Sequence, residues 1–266
     1  MSNTLEIISW NLRDGINDPL IQDEIINCEP DIAVFPEAHA EGSVLEQATK
    51  RAFADAGYAM YDRPYDDDDN RKDRHALVVV AKPELVQSVT KVHLAGRNAL
   101  KLTLVGEEST QLLGMHLDDR TEARRGRMAA AAIAGLGPNA IGVGDFNAMY
   151  RGAHLAGLLR TVRPLTHLLP SRDPVPGEKT PKLHRLGSLS QRTTGMASGQ
   201  TMQVFTEAGF HDASETHEPT MKKGPLAIEL DHIIYRGKVQ VVRPTQVTSG
   251  QNLSDHRKLS ARLRVH

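Results

Sequence analysis

The stretch that most constrains this chain is Ile141-Gly142-Val143-Gly144-Asp145-Phe146-Asn147-Ala148. Its apolar lead-in reads as a buried strand. Glycine then breaks the run, and an acid and an amide follow two positions apart. A strand end is a rigid place from which to hold a side chain in a cleft. If the extended geometry continues, Asp145 and Asn147 share a parity and face the same side. One carries negative charge, and the other can both donate and accept hydrogen bonds. That combination suits a phosphate-and-metal site. Asp and Asn are equally at home in turns, so in isolation the stretch reads more simply as a turn that closes a strand. The remainder of the chain tips the balance.

Apolar segments that lead into polar groups recur along the sequence. Residues 5–10 read as a first strand, running into the polar turn Asn11-Leu12-Arg13-Asp14-Gly15. Residues 19–28 have apolar positions at helical spacing (Leu20, Ile21, Ile25, Ile26), and residues 31–35 form a short buried strand that delivers Pro36-Glu37. A second helix is expected over 43–56, with Ser43 as its N-cap. Residues 58–61 and 76–81 flank an acidic loop at 66–69. Strands are expected over 85–93, 99–105 and 111–115, the last delivering His116. An alanine- and arginine-rich helix spans 120–136. Beyond the central stretch come a helix over 153–163, an irregular basic segment over 164–200, and a helix over 201–209. Strands over 230–235, 238–242 and 259–265 complete the pattern, the last preceded by Ser254-Asp255-His256. Strands alternating with helices in this way predict a mixed α/β sandwich.

A length of 266 residues suits one large α/β domain or two small ones, and the 39% hydrophobic and 24% charged content fits a globular chain. The single cysteine, Cys28, excludes an internal disulfide and fits a reducing compartment. The start of the chain lacks a basic segment followed by an apolar run, and the apolar run at 76–81 is too short to span a bilayer. A cytoplasmic protein without membrane attachment is therefore expected, acting as a monomer. The formal net charge of -1 means that any surface for a polyanion must be local.

The polar groups at strand ends are Asn11, Glu37, His116, Asp145, Asn147, Asp231, Asp255 and His256. Carboxylates and an amide oxygen are hard donors suited to Mg2+, with Mn2+ as the alternative. No cysteine–histidine spacing points to zinc, and no glycine-rich phosphate loop or dinucleotide fingerprint is present. Histidines beside carboxylates can move protons near neutral pH. Without a nucleophilic serine or cysteine elbow, the simplest attacker is water. The reaction class implied is metal-assisted hydrolysis of a phosphate ester.

The ordered set Ser9-Trp10-Asn11, Pro36-Glu37, His116-Leu117, Gly144-Asp145-Phe146-Asn147, Asp231-His232 and Ser254-Asp255-His256 resembles the endonuclease/exonuclease/phosphatase superfamily. The resemblance covers nearly the whole chain. It implies one catalytic domain over 1–266 with a loop insertion at about 164–200. The implied fold is a four-layer α/β sandwich, two mainly antiparallel β-sheets face to face with helices outside. It also implies roles. Glu37 would be the principal metal ligand, with Asn11 and Asp255 beside it. His256 would contact the scissile phosphate, and Asp231 would fix its tautomer. Asn147 would hold a phosphate oxygen, and His116 would serve as general acid or phosphate ligand. Either Asp145 or His256 would take the proton from water. The histidine at 116 leans away from a dedicated abasic endonuclease, where tyrosine is the usual residue.

Nucleic acid is the expected substrate. Arg172, Lys179, Lys182 and Arg185 in the irregular segment are the candidate substrate-binding residues, with Lys222-Lys223 nearby in character. The near-neutral charge and the acidic loop at 66–69 weigh the other way. They leave a small-molecule or lipid-headgroup phosphate ester as the alternative, and a non-catalytic binding protein as a third reading.

Overall fold

The computed structural model describes residues 3–39, 45–63, 76–106, 108–150, 199–223, 226–248 and 253–266. Along the chain these form β1 (Asn3–Ser9), α1 (Pro19–Asn27), β2 (Ile32–Phe35), α2 (Gln47–Asp55), β3 (Ala59–Arg63) and β4 (Leu77–Ala81). There follow β5 (Val86–His93), β6 (Asn98–Leu104), β7 (Gln111–His116), α3 (Glu122–Ala134) and β8 (Ala140–Asp145). The rest are α4 (Gln200–Glu207), β9 (His211–Asp212), β10 (Met221–Lys223), β11 (Leu226–Ile228), β12 (Asp231–Arg236), β13 (Val239–Thr248) and β14 (Lys258–Val265).

Two six-stranded sheets carry the fold, in the orders β13-β14-β1-β2-β4-β3 and β5-β6-β7-β8-β12-β9, and β10-β11 is a separate hairpin. Each sheet is antiparallel except for one central parallel pair, β1–β2 in the first and β7–β8 in the second. A parallel pair needs a crossover, and a helix supplies it each time: α1 for β1–β2 and α3 for β7–β8.

Strand alternation builds the layers. The inward rows Leu5-Ile7, Ile32-Val34 and Leu77-Val79-Ala81 of one sheet meet Leu100-Leu102-Leu104, Leu112, Ile141-Val143 and Ile233 of the other. The outward row of the first sheet, Ile8, Ala33, Phe35, Val78 and Val80, packs on Ile21, Ile25 and Phe53 from α1 and α2. The outward row of the second, Leu113, Met115 and Ile234, packs on Met128, Ala129, Ala132, Met202 and Phe205 from α3 and α4. This is the four-layer α/β sandwich, with two mixed, mainly antiparallel sheets inside. Gly114 sits in an inward row because a methyl there would lie 3.1 Å from both Val34 and Val79 of the facing sheet.

Several expected boundaries move. The second helix starts at Gln47, not at 43, with Glu46 at its N-cap and no side-chain cap bond; position 43 itself lies outside the described residues. The helix expected over 120–136 is Glu122–Ala134, because Asp118 accepts from the Arg120 and Thr121 amides and holds that approach in a turn. β13 runs on to Thr248, twice passing through a register shift, because Pro244 cannot donate to the ladder and is accommodated at an irregularity. The expected helix at 153–163, nearly all of the irregular segment at 164–200 and the acidic loop at 66–69 lie outside the described residues. Among the described residues no helix is long and apolar enough to cross a membrane.

Candidate active site

The inward rows are apolar through the middle of the sandwich and turn polar at one edge. Leu112 leads by alternation to His116, Val143 to Asp145, and Ile233 back to Asp231. Register aligns these three across the second sheet, with His116 opposite Asp145 on β7–β8 and Asp145 opposite Asp231 on β8–β12. All three are buried. Gly144 makes the placement possible. It has φ 141°, and a side chain there would put its Cβ 1.9 Å from the Met115 carbonyl oxygen.

The first sheet contributes through the loops beyond its parallel pair. The Leu12 amide donates to the Pro36 carbonyl at 3.0 Å and the Asp14 amide to the Glu37 carbonyl at 2.6 Å, lacing the two loops together. Arg13, Asp14 and Glu37 all have positive φ. This unfavourable backbone region for ordinary residues often accompanies functional sites. Asn11 reaches across the sandwich, its Nδ2 donating to Asp145 Oδ2 at 3.1 Å. The Ser254-Asp255-His256 turn is stapled to the same loop. Ser254 Oγ donates to the Asn11 carbonyl at 2.7 Å, and Trp10 Nε1 donates to the His256 carbonyl at 3.1 Å. The early Trp-Asn pair and the late Ser-Asp-His turn, far apart in sequence, are therefore one structural unit.

Electrostatics differ from group to group. His256 Nδ1 donates to Asp231 Oδ2 at 2.8 Å. Burial works against a charge on His256, but Asp231, with Asp145 and Asp255, outweighs it and pushes the imidazole up to about 10. Asp145 is pushed up to about 7, first by burial and then by the neighbouring Asp231 charge, with His256 pulling the other way. Asp231 is also held by Thr220, whose hydroxyl donates to Oδ2 at 2.7 Å and accepts the Asp231 amide at 3.1 Å. Its other oxygen, Oδ1, is buried with no hydrogen-bond partner among the described residues.

His116 Nε2 stands 3.7 Å from Glu37 Oε1 and 3.8 Å from Asp145 Oδ2. Those separations are too long for hydrogen bonds. The donor atoms of Glu37, His116 and Asp145 lie within 4.8 Å of one another, as do those of Asp145, Asp231 and His256. Anionic oxygens gathered this closely fit a divalent cation, Glu37 being the partly exposed member and Asn11 Oδ1 lying in the adjoining loop. Asp255 stands at the outer margin, where Arg13 Nη1 meets its Oδ2 at 3.4 Å.

Asn147 departs from the sequence expectation. The extended geometry does not continue: Asn147 has φ 48°, and its amide closes a turn onto Asp145 Oδ1 at 2.8 Å. Its Nδ2 donates to the Leu117 carbonyl at 3.1 Å, leaving a second N–H. The turn is real, and it orients the carboxylate. Arg172, Lys179, Lys182 and Arg185 lie outside the described residues. Sequence reading missed Thr220, an isolated threonine before a lysine pair, and Asp118 and Arg97, which brace the loop after His116. Arg97 Nη1 donates to the Leu117 carbonyl at 2.7 Å. No local pattern marks any of these three.

Comparison with known proteins places this arrangement. An endonuclease/exonuclease/phosphatase from Beutenbergia cavernae superimposes with a TM-score of 0.67 at 14% identity, over 98% of this chain and 72% of that one. An AP endonuclease from Archaeoglobus fulgidus does so with a TM-score of 0.64 at 12% identity, over 97% and 98% of the two chains. ANGEL2, a 2′,3′-cyclic phosphatase solved with adenosine-2′,3′-vanadate, gives 0.62 at 16% identity, over 99% and 96%. Identities this low show a shared fold and leave the substrate open. No curated protein sequence matches the chain significantly. The model of the Endonuclease/Exonuclease/phosphatase family matches residues 8–256, from the strand before Asn11 to His256. The chain belongs to that family of metal-dependent phosphoester hydrolases.

Proposed function

We propose that this protein is a Mg2+-dependent phosphodiesterase that hydrolyses nucleic acid with an activated water. The observation that carries the reading is Asp145, held between His116 and Asp231 on its own sheet and the Asn11–Glu37 loops of the other. Glu37 and Asn11 would hold the cation, with Asp255 alongside, and Mn2+ could replace Mg2+ on the same oxygen donors. The cation, when bound, would neutralise phosphate charge and polarise the attacking water.

The chain's own groups supply the rest. Asp145, titrating at about 7, can take a proton from water near neutral pH. Asn11 and Asn147 hold its two oxygens, and so fix the direction from which it takes that proton. His256 is a cation at neutral pH and can donate from Nε2 to a phosphoryl oxygen as charge builds there. Asp231 keeps the ring oriented for this. The second Nδ2 hydrogen of Asn147 is available to another phosphate oxygen. His116, on the far side of Asp145, can protonate or hydrogen-bond the departing oxygen. Losing the His256 donor would then cost roughly 10²- to 10³-fold in rate.

Support for a nucleic-acid substrate comes from the basic residues at 172–192 and from Arg13, exposed at the rim of the site. The fold neighbour solved with adenosine-2′,3′-vanadate and the net charge of -1 favour a second reading, a small phosphate ester. The test is hydrolysis of plasmid DNA, an abasic oligonucleotide and a panel of small phosphate esters, in Mg2+ and in EDTA. Glu37→Ala and His256→Ala serve as controls. Metal-dependent DNA cleavage lost in both variants is the expected result. Affinity for DNA should fall steeply with salt, because each neutralised phosphate releases counterions. Turnover of small esters alone would overturn the nucleic-acid assignment in favour of the second reading.

A further inference from the structure

A second cluster of ligand-type side chains stands apart from the catalytic residues. Asp212 on β9, His217 in the following loop and Glu229 just before β12 have donor atoms within 4.8 Å of one another. His217 Nδ1 lies 3.1 Å from Glu229 Oε1. A tetrahedral ion with bonds of about 2.0–2.1 Å holds neighbouring donor atoms at roughly 3.3 Å, so that pair is already near a ligating separation. Glu229 is 4% exposed, and its Oε2 is buried with no hydrogen-bond partner among the described residues. Burial pushes the Glu229 carboxyl up, and an orphaned oxygen in a nearly closed site is costly unless a proton or a cation meets it. The surroundings hold the other carboxylate in place. His232, fully buried, presents Nδ1 to Asp212 Oδ2 at 2.9 Å and Nε2 to the Ala148 carbonyl at 2.8 Å. A ligating carboxylate steadied by a neighbouring side chain is the usual outer environment of a bound ion. The Tyr150 ring packs on His217 with centroids 5.0 Å apart. His217 is partly exposed and gives the cluster its opening to solvent.

We propose that Asp212, His217 and Glu229 form a second cation site, distinct from the catalytic cluster, for a first-row transition ion of zinc type. One imidazole with two carboxylates favours Zn2+ over Mg2+, which prefers an all-oxygen shell. A water would complete the coordination. The site would join β9, the loop after it, β12 and, through His232, the backbone at Ala148, three residues beyond Asp145. An ion there therefore stiffens the segment that carries the catalytic turn.

The test uses the intact chain together with Glu37→Gln, His217→Ala and the double variant. Each is dialysed against Zn2+ and analysed for bound metal, then titrated with Co2+ while its visible absorption is followed. The catalytic cluster and the new site should each hold one ion. The Co2+ spectrum of a four-coordinate site should persist in Glu37→Gln and vanish in His217→Ala. Thermal unfolding separates a metal role from a simple ion-pair role, with Glu229→Gln as a second variant. If the proposal holds, Zn2+ raises the unfolding temperature of Glu37→Gln but not of His217→Ala or Glu229→Gln. Full Zn2+ binding by His217→Ala would overturn the proposal. So would the same loss of stability in His217→Ala with and without EDTA.

Discussion

The two sheets meet the active site by different routes. The second sheet places His116, Asp145 and Asp231 on adjacent strands, in register, with side chains almost entirely out of solvent. The first sheet places Asn11, Glu37 and Asp255 in loops past its strand ends, and Glu37 and Asp255 keep roughly a quarter to a third of their side-chain surface exposed. Of the buried strand residues, Asp145 has its proton affinity raised by burial, as suits the general base proposed above. Glu37 and Asp255 face water, and from there a cation could reach them, while Asn11 is buried. Among the carboxylates the contrast teaches a division of labour: rigidity and burial for Asp145, whose proton affinity is set there, and openness for Glu37 and Asp255, where an ion would enter.

The largest effect should come from breaking the rigid side. Gly144→Ala would force a side chain into the Met115 carbonyl at a φ that favours glycine. Because β7 and β8 pair along their whole length, the clash cannot be relieved locally. We expect a loss of more than about 3 kcal/mol, with poor soluble yield. Glu37→Ala, on the open side, should leave thermal stability within about 0.5 kcal/mol in EDTA while abolishing metal-dependent turnover. Melting curves of the two variants side by side make the comparison. Equal stability would mean that the second sheet is no more constrained than the loops.

These two sides also differ in how plainly they could be read from the chain. The strands of the sandwich were legible because each is a short apolar run, alternating or continuous, that ends in polar residues, and the glycine before Asp145 marked the strand end. The polar residues were legible because each interrupts an apolar row. What pattern could not supply was the partner across the fold. Thr220 touches Asp231 only because the loop before β10 returns to the head of β12. Whether the chain stays extended to Asn147 or turns there was open in the sequence, because the left-handed turn is set by Asp145 accepting its amide. Helix α2 starts later than expected, since Ser43 looks like a cap in sequence but the helix begins after Glu46.

A smaller effect should follow from Asp145→Asn. The folded protein holds this carboxyl at about 7, against roughly 3.9 in an unfolded chain. Between those values the folded state binds the proton more tightly. Stability contributed by Asp145 therefore falls as pH rises from about 4 through 7. The amide cannot ionise, although it retains only one of the two acceptor oxygens used by Asn11 and Asn147. In EDTA, the unfolding temperature of Asp145→Asn relative to the natural chain should shift in the variant's favour between pH 5 and pH 8. Turnover should meanwhile be lost. A difference in unfolding temperature that does not change with pH would show that Asp145 is not strained by ionisation.

The smallest effect belongs to the weaker of two ion pairs at the same edge. Asp231 and His256 are buried, and their pair is also hydrogen-bonded through Thr220. Arg13 and Asp255 meet at 3.4 Å with side chains 68% and 31% exposed. Removing one partner of a buried pair strands the other charge and costs about 3–5 kcal/mol. An exposed pair contributes about 0–1 kcal/mol, further reduced by salt. Asp231→Asn should therefore destabilise markedly, and Arg13→Ala hardly at all. The pH dependence has a definite sign. His256 titrates at about 10 when folded, above the roughly 6.5 of a free imidazole. Its contribution is fully present below about 6.5 and is lost as pH rises through 10. The penalty for Asp231→Asn should accordingly shrink between pH 6 and pH 10, while that for Arg13→Ala stays near zero throughout. If the substrate is the proposed nucleic acid, Arg13→Ala should instead show itself as a raised KM for DNA with kcat little changed, because its charge lies at the rim and not against the reacting atoms.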